Sequence, residues 1–499
     1  MRCKCSICFV SLIKAKILEE VVAYAKSFSL NIGHNFTSKT ILLTAITGTA
    51  AVEIGGETSA SAFKYLRRID HGHQSDIDNF KDTRMCIMDE CSFASWKILP
   101  KISENLKSFT ECQEFEYGGV AFVFLGDFCQ LEAIGGDCFY LHHDGDSYWM
   151  EELNCMVELL GGHRFINCEF MGNICSAMRN GNLTKEYRDL LNSRVVGQNG
   201  VKMPDPRKTH FATYCNKLRC SLNANLFKVH LKKNHSKCTK TNICNTTIII
   251  KADPCWAHSK TPLNFDQRHI LFQNCSEADT NNAQNTRCDP LLCLFYDSNL
   301  MVNENTDVTN GIANGTNCLF KYAKLKPGTI LQPIMMHGCW VNSVSVHDVE
   351  YLQLEWQDSA RFKGLFRVHP KKRTFVVSFP IQDNNTKLRI KTKMILEQFP
   401  VVVNFATTGH KLQGKSLFSL VIAQWAAKNI KNWAYVVISR VRTLLGLFLL
   451  ERIPDDLDCT PAPEYLHMMD RFRETILAGP EDVADLKATY NCYDHHGLN

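Results

Sequence analysis

The chain has 499 residues, 45% hydrophobic and 21% charged, with a net charge of +5. At about 150 residues per domain this length implies two to four domains, and the composition excludes a disordered tail, a collagen and a supercharged chromatin protein. No window holds the roughly 18 uncharged apolar residues of a membrane span, and a nearly neutral chain leaves any nucleic-acid surface to local basic clusters.

The 23 cysteines are odd in number and often sit inside apolar runs, as Cys86 and Cys129 do. No secretory leader is evident, because Ile7–Ile13 is a short apolar run without a small-residue cleavage site. The thiols therefore read as free and buried in a reducing compartment. Cys3, Cys5 and Cys8 form the one dense group; with no second pair nearby they read as an unstructured terminus rather than a zinc site.

In chain order, Ile13, Ile17, Val21, Tyr24 and Phe28 recur at helical spacing, which predicts a helix over 12–28. Apolar runs at 41–44, 85–88 and 120–125 predict buried strands, the second closed by Asp89-Glu90 and the third by Gly126-Asp127. Strands alternating with helices predict an α/β domain with a parallel sheet, whose polar residues at the strand ends line a crevice. Residues 196–208 read as a linker, and 232–290 as polar and without clear pattern. Short β runs over 312–399 predict a small inserted β domain. Buried strands are predicted again at 401–406 and 435–438, and a helix over 463–477 with Pro463 at its start.

An acidic pair after an apolar strand suits a nucleotide hydrolase: the Asp holds Mg²⁺ and the Glu takes a proton from the attacking water. Two solvated carboxylates capping a strand would look the same. The next strand adds Gly126, Asp127 and Gln130, and a Gln can bond both water and a phosphate oxygen. Thr44–Ala51 follows the first strand with hydroxyls and a glycine, suited to a nucleic-acid phosphate. His410-Lys411-Leu412-Gln413-Gly414-Lys415-Ser416 and Ser439-Arg440-Val441-Arg442 lie near the end.

Together these blocks resemble the Pif-one-like DNA helicases, RecD-like members of helicase superfamily one, most of all the copies carried by large eukaryotic rolling-circle transposons. The resemblance runs with gaps from about 12 to 455, through TAITGTAAVEIGGET, IMDECS, FLGDFCQL, ELLGGHRF, NGIANGT, HKLQGKS and YVVISRVRT. It implies two RecA-like, P-loop NTPase-type domains with parallel sheets and a small β-barrel domain inserted in the second. The implied layout is a first domain over 1–195, a second starting at 196–311, the insert at 312–399, the rest of the second at 400–455 and a helical tail at 456–499. The implied activity is ATP-dependent 5′→3′ unwinding at junctions of single-stranded and duplex DNA, with ATP and Mg²⁺, in the nucleus, in repair, recombination or telomere maintenance. No membrane and no protein partner is implied.

By the same resemblance Asp89 is the Mg²⁺ ligand, Glu90 the general base and Gln130 the γ-phosphate sensor. Arg164 and Arg440 are the two arginines that stabilise the transferring phosphoryl group. Asp127, Gln413 and Gly414 fall at the nucleotide, and Thr47, Gly48, Ser61, His410 and Lys411 at the single strand. Lys387, Arg389, Lys391 and Lys393 alternate with apolar residues, so on a strand they share one face suited to a phosphate backbone. The sequence departs from the family pattern where Glu132-Ala133 replace a Pro pair, Gly161-Gly162 an acid-Asn pair and Ala60 a His.

The largest departure is the phosphate loop. It is expected near 6–14, where SICFVSLIK has no glycine, and both it and the strand before it are expected to be missing by truncation. GHKLQGKS at 409–416 fits the written loop pattern but lies after the acid pair. GHNFTSKT at 33–40 comes close but precedes a strand. An inactive single-stranded-DNA-binding relic of the same fold is the rival reading.

Overall fold

The computed structural model describes residues 5–9, 14–31, 33, 35–66, 74–131, 138, 153–158, 165, 167–206, 208–264, 267–268, 289–357, 361–380, 389–426 and 432–475. The chain divides into two compact units. The first comprises Met1–Thr184, Lys431–Val436 and Asp458–Asn499; the second comprises Lys185–Ile430 and Val437–Leu457. The first unit thus ends at 184, where a domain boundary was expected at 195, and it includes the described helix Pro463–Thr475.

The first unit is built on six parallel strands: β1 (Cys5–Phe9), β2 (Ile41–Ala45), β3 (Glu57–Thr58), β4 (Met85–Asp89), β5 (Ala121–Leu125) and β6 (Leu153–Glu158). Their order is β3-β2-β4-β5-β1-β6. Cys5–Phe9 corrects the expectation of an unstructured terminus: β1 pairs with β5 on one side and with the edge strand β6 on the other. The strand expected to be missing is therefore present.

Both faces of this sheet are covered, which is why its strands read as unbroken apolar runs. On one face Leu18 of α1 (Lys14–Asn31) packs with Ile41, Ile87 and Leu125. On the other, Cys86, Met88, Phe122 and Phe124 meet Phe63 of α3 (Ser59–Phe63, after the short α2, Gly48–Ile54). Phe80 of α4 (Gln74–Phe80) and Leu106 and Phe109 of α5 (Ile98–Phe109) complete that layer. It is closed by Tyr465, Met468 and Met469 of the terminal helix, Pro463–Thr475, and α6 (Glu169–Arg179) buries its own Met171 and Met178.

The second unit opens with α7 (Lys185–Asn192) and holds a smaller parallel sheet. Its strands are β7 (His210–Thr213), β20 (Ala406–Thr408), β21 (Leu420–Ile422) and β22 (Leu447–Leu449), in the order β20-β7-β21-β22. Helix α8 (Asn216–Asn234) packs Leu222 against this sheet and Phe227 and Leu231 against the antiparallel region. That region starts earlier than the expected 312. Strand β8 (Thr247–Lys251), inside the stretch that looked patternless, pairs with β10 (Leu291–Phe295) and β14 (Cys339–Ser345). A five-stranded antiparallel sheet follows, from β11 (Asn299–Val302) and β12 (Asn317–Leu325) through β15 (Val349–Trp356) and β16 (Leu365–Val368) to β19 (Val401–Val403). Strands β17 (Lys371–Pro380) and β18 (Arg389–Gln398) form a long hairpin, with the short β9 (Cys255–Trp256) beside β18, and β13 (Gln332–Met336) pairs with β14.

Residues 435–438, expected as a strand, lie in helix α10 (Trp433–Ile438) instead. The one-turn α9 (Gly409–Leu412) follows β20, and the terminal helix Pro463–Thr475 is α11. Among the described residues no helix is long and apolar enough to cross a membrane. Cys86, Cys91, Cys129, Cys175 and Cys318 are buried.

Candidate functional site

In the first unit the site residues gather at the carboxyl ends of β2, β4 and β5. Register makes this so: Ala45 pairs with Asp89, and Met88 with Phe124. Asp89 and Glu90 are both buried. The Glu90 N–H donates to Asp89 Oδ1 at 2.8 Å, and Glu90 holds a left-handed backbone, φ 55°. Such a conformation is uncommon outside glycine and turns the chain sharply after the strand. Ile46 N–H donates to the Asp89 carbonyl at 3.1 Å, tying the β2 turn to it. Thr47 then caps α2, its hydroxyl oxygen accepting from Ala50 N at 3.2 Å, with Gly48 as the first helical residue. Ser61 is exposed in the first turn of α3.

The β5 turn presses on the β4 turn. A Cβ on Gly126 would stand 2.6 Å from Cys91 Sγ and 3.1 Å from the Ser92 nitrogen, so only glycine fits between them. Asp127 and Gln130 follow, and both are buried. Asp127 Oδ1 accepts from Cys129 N–H at 3.0 Å, and Arg179 Nη2 lies 3.4 Å from the same oxygen. Asp127 Oδ2 accepts from Gln130 Nε2 at 3.2 Å. The neighbouring carboxylate raises the Arg179 pKa further above its ordinary value. Arg179 carries no sequence signal, being a lone cation on an amphipathic helix, and the sequence reading missed it.

In the second unit Arg440 is buried just past α10, its Nη2 donating to Ser439 Oγ at 2.8 Å. The Lys411 ammonium of α9 donates to Asn314 Oδ1 at 2.8 Å. Lys415 donates to Asn317 Oδ1 at 2.8 Å and to the Gly315 carbonyl at 3.4 Å. NGIANGT is thus the docking loop for both lysines, a role that its asparagines alone did not announce. His410 is exposed, Gln413 is half-buried, and Gly414 takes a left-handed φ of 79°. Lys393 is exposed on β18, which also carries Arg389 and Lys391. Arg164 and Lys387 lie outside the described residues.

His210, at the start of β7, has its pKa pushed down to about 4 by burial and by the Lys415 charge. The unfolded chain, with an ordinary histidine near 6.5, therefore binds one more proton than the fold between about pH 6.5 and 4. The stabilising contribution is complete above that window and is lost as pH falls through it, up to about 3 kcal/mol. Urea unfolding at pH 7 and pH 4.5 should show a shallower pH dependence in His210→Phe than in wild type; equal slopes would reject the assignment.

Residues 25–137 match the sequence model of the PIF1-like helicases. A segment of 108 residues is 30% identical to the ATP-dependent DNA helicase PIF3 of Trypanosoma brucei brucei. In this segment the sequence is similar to the PIF1-like helicases. The match covers 20% of the chain and only 13% of the trypanosome protein. The solved Pif1 helicase from Bacteroides, in complex with ADP-AlF3 and single-stranded DNA, is similar over 95% of this chain and 94% of its own, with a TM-score of 0.62 and 17% identity. The Candida albicans Pif1 helicase is similar over 94% and 95%, with a TM-score of 0.61 and 16% identity. The chain has the Pif1 helicase fold.

Within this PIF1-like frame the strand ends fit one half of a nucleotide site. Buried, adjacent Asp89 and Glu90 suit a metal-bound water and its base. The connection from β1 to α1 does not fit the other half. Only 10–13 separate Phe9 from Lys14, and Val10, Ser11, Leu12 and Ile13 include no glycine to bring backbone N–H groups around a β-phosphate. Lys14 heads the helix, with Ala15 after it where a hydroxyl ligand of Mg²⁺ would be needed.

Proposed function

We propose that this chain is a Pif1-like, ATP-dependent DNA helicase that moves 5′→3′ along single-stranded DNA toward duplex junctions, with slow turnover of its own. The observation that carries the reading is the assembly of Asp89, Glu90, Asp127 and Gln130 at two adjacent strand ends of a parallel sheet. That is where an open α/β sheet takes its ligand. The fold of proteins solved with ADP-AlF3 and single-stranded DNA supports it. ATP and Mg²⁺ supply the phosphoryl chemistry; Asp89 would hold the metal and Glu90 the water's proton. Lys411, the β17–β18 hairpin and the Thr47 turn provide cations and hydroxyls for a DNA backbone. Unwinding of 5′-tailed but not 3′-tailed duplexes tests the polarity.

A DNA-binding relic without turnover is the second reading, favoured by the glycine-free segment at 10–13. ATP turnover separates the two, and single-stranded DNA binding is expected of both. With about four phosphates engaged, log K should fall against log salt with a slope of about −3. Changing Lys387, Arg389, Lys391 and Lys393 together to Ala should flatten that slope. A salt-independent titration would remove DNA binding from both readings, and an unchanged slope in the quadruple variant would remove β18 from the interface.

A further inference from the structure

We infer that Arg179 is a positioning residue for Gln130, acting through Asp127, and that this arrangement presents Gln130 Oε1 as a hydrogen-bond acceptor for a water or another donor. The inference rests on the hydrolytic reading above and gives the oxygen of the residue named as phosphate sensor a task of its own.

The argument starts from valence. A carboxylate only accepts hydrogen bonds, whereas an amide donates from its nitrogen and accepts at its oxygen. The end of Gln130 that meets Asp127 Oδ2 at 3.2 Å must therefore be its NH₂. This chemistry decides an orientation that shape alone leaves ambiguous. Asp127 is itself held by Cys129 N–H and by the Arg179 guanidinium. Around the pair stand Phe128, Cys129, Tyr435, Ala462 and Tyr465, whose low polarity strengthens the attraction. Tyr465 reaches in from α11 and accepts from Cys129 Sγ at 3.2 Å. Burial raises the pKa of both tyrosines, so they stay neutral beside the ion pair. The Gln130 backbone is tied as well, its carbonyl accepting from Asn432 Nδ2 at 3.2 Å.

What remains is Gln130 Oε1. Gln130 is 2% exposed, and no donor among the described residues reaches that oxygen. A buried acceptor in this state lowers its free energy when a ligand brings a donor. A phosphate oxygen is an acceptor too and would face it unfavourably. A water has two protons, one for Gln130 Oε1 and one for the carboxylate of Glu90, whose turn abuts the Gly126–Asp127 turn. Arg179 matters because it holds Asp127 in place. Without the guanidinium the carboxylate can turn away and the amide can flip.

Two measurements test this. In protein labelled with ¹⁵N at glutamine side chains, with Gln130 identified by loss of its signal in Gln130→Ala, one Nε2 proton should be shifted downfield and protected from exchange. Arg179→Met should abolish both features and Arg179→Lys should restore part of them. Asp127→Asn, which keeps the shape and the Cys129 contact, reads the same signals if Arg179→Met does not fold. A freely exchanging Gln130 amide in wild type, or one unmoved by these variants, overturns the inference and leaves the hydrolytic reading standing. The second measurement is titration with Mg·ADP, with and without aluminium fluoride, whose complex holds a water in line. Arg179→Met should lose at least tenfold of the tightening caused by fluoride while its affinity for Mg·ADP stays within twofold. A lowered melting temperature with unchanged tightening makes Arg179 structural only. Wild-type protein that binds no Mg·ADP sinks the hydrolytic reading and this inference with it.

Discussion

Replacing residues 10–13 with a Gly-x-x-Gly-x-Gly-Lys-Ser loop is expected to raise DNA-stimulated ATP turnover by several decades over residues 1–499 as they stand. The reason is local to the end of β1. That strand pairs with β5, which leads into the Asp127–Gln130 turn, so the segment after it is where backbone N–H groups have to close on a phosphate. Val10, Leu12 and Ile13 carry bulky or β-branched side chains, and the segment has no glycine. Losing one preorganised donor from such a site costs about 3–4 kcal/mol of barrier. Several donors and a hydroxyl ligand of Mg²⁺ are absent together, so even strongly non-additive losses amount to decades. Asp89 and Glu90 act on metal and water and cannot replace them. Comparable turnover in the two proteins would return Gly409–Ser416 and Gly33–Thr40 to consideration. The fold already speaks against both: Gly409 opens a helix of one turn after β20, and Gly33–Thr40 runs into β2.

Phe122→Ala should destabilise the first unit by about 3–5 kcal/mol, the cost of emptying a fully buried aromatic site. Phe122 is completely buried on β5. Its ring lies 4.6 Å from Tyr117, 4.9 Å from Phe124 and 5.6 Å from Phe63, centroid to centroid. These neighbours come from three different elements and cannot all collapse into the space. Because β5 delivers Gly126 and Gln130 to the site, nucleotide and DNA responses should weaken along with the melting temperature. Tyr24→Ala is the control: Tyr24 is 71% exposed on α1, and its loss should stay within about 0.5 kcal/mol. Equal effects of the two substitutions on thermal or urea unfolding would contradict the packing described here.

Three of the strands that bear the site were legible from composition. Runs at 41–44, 85–88 and 120–125 are apolar throughout because helices cover both faces of a parallel sheet. Polar residues right after such runs have to lie at its carboxyl edge, and Asp89, Glu90, Asp127 and Gln130 do lie there. The same logic failed at 435–438. Tyr-Val-Val-Ile is as apolar and as β-branched as a buried strand, and over so few residues periodicity cannot separate strand from helix. Packing of Trp433, Val436, Val437 and Ile438, all fully or nearly fully buried, makes it helix. Cys5–Phe9 failed for the opposite reason: five residues with mixed polarity look like nothing until β5 and β6 are present to pair with them.

Local pattern is written by neighbours a few positions apart, so the amino-acid order was enough for the acid pair, the glycine turn, the lack of glycine at 10–13 and a helix expected over 463–477 and described over 463–475. Which distant groups meet is another matter. Nothing within a turn of Arg179 marks it as the partner of Asp127, and nothing near Tyr465 marks it as the neighbour of Cys129, 336 positions away. Those pairings follow from how helices α6 and α11 pack over the first sheet, where excluding water from Met178, Met468 and Met469 brings the polar tips of Arg179 and Tyr465 to the β5 turn.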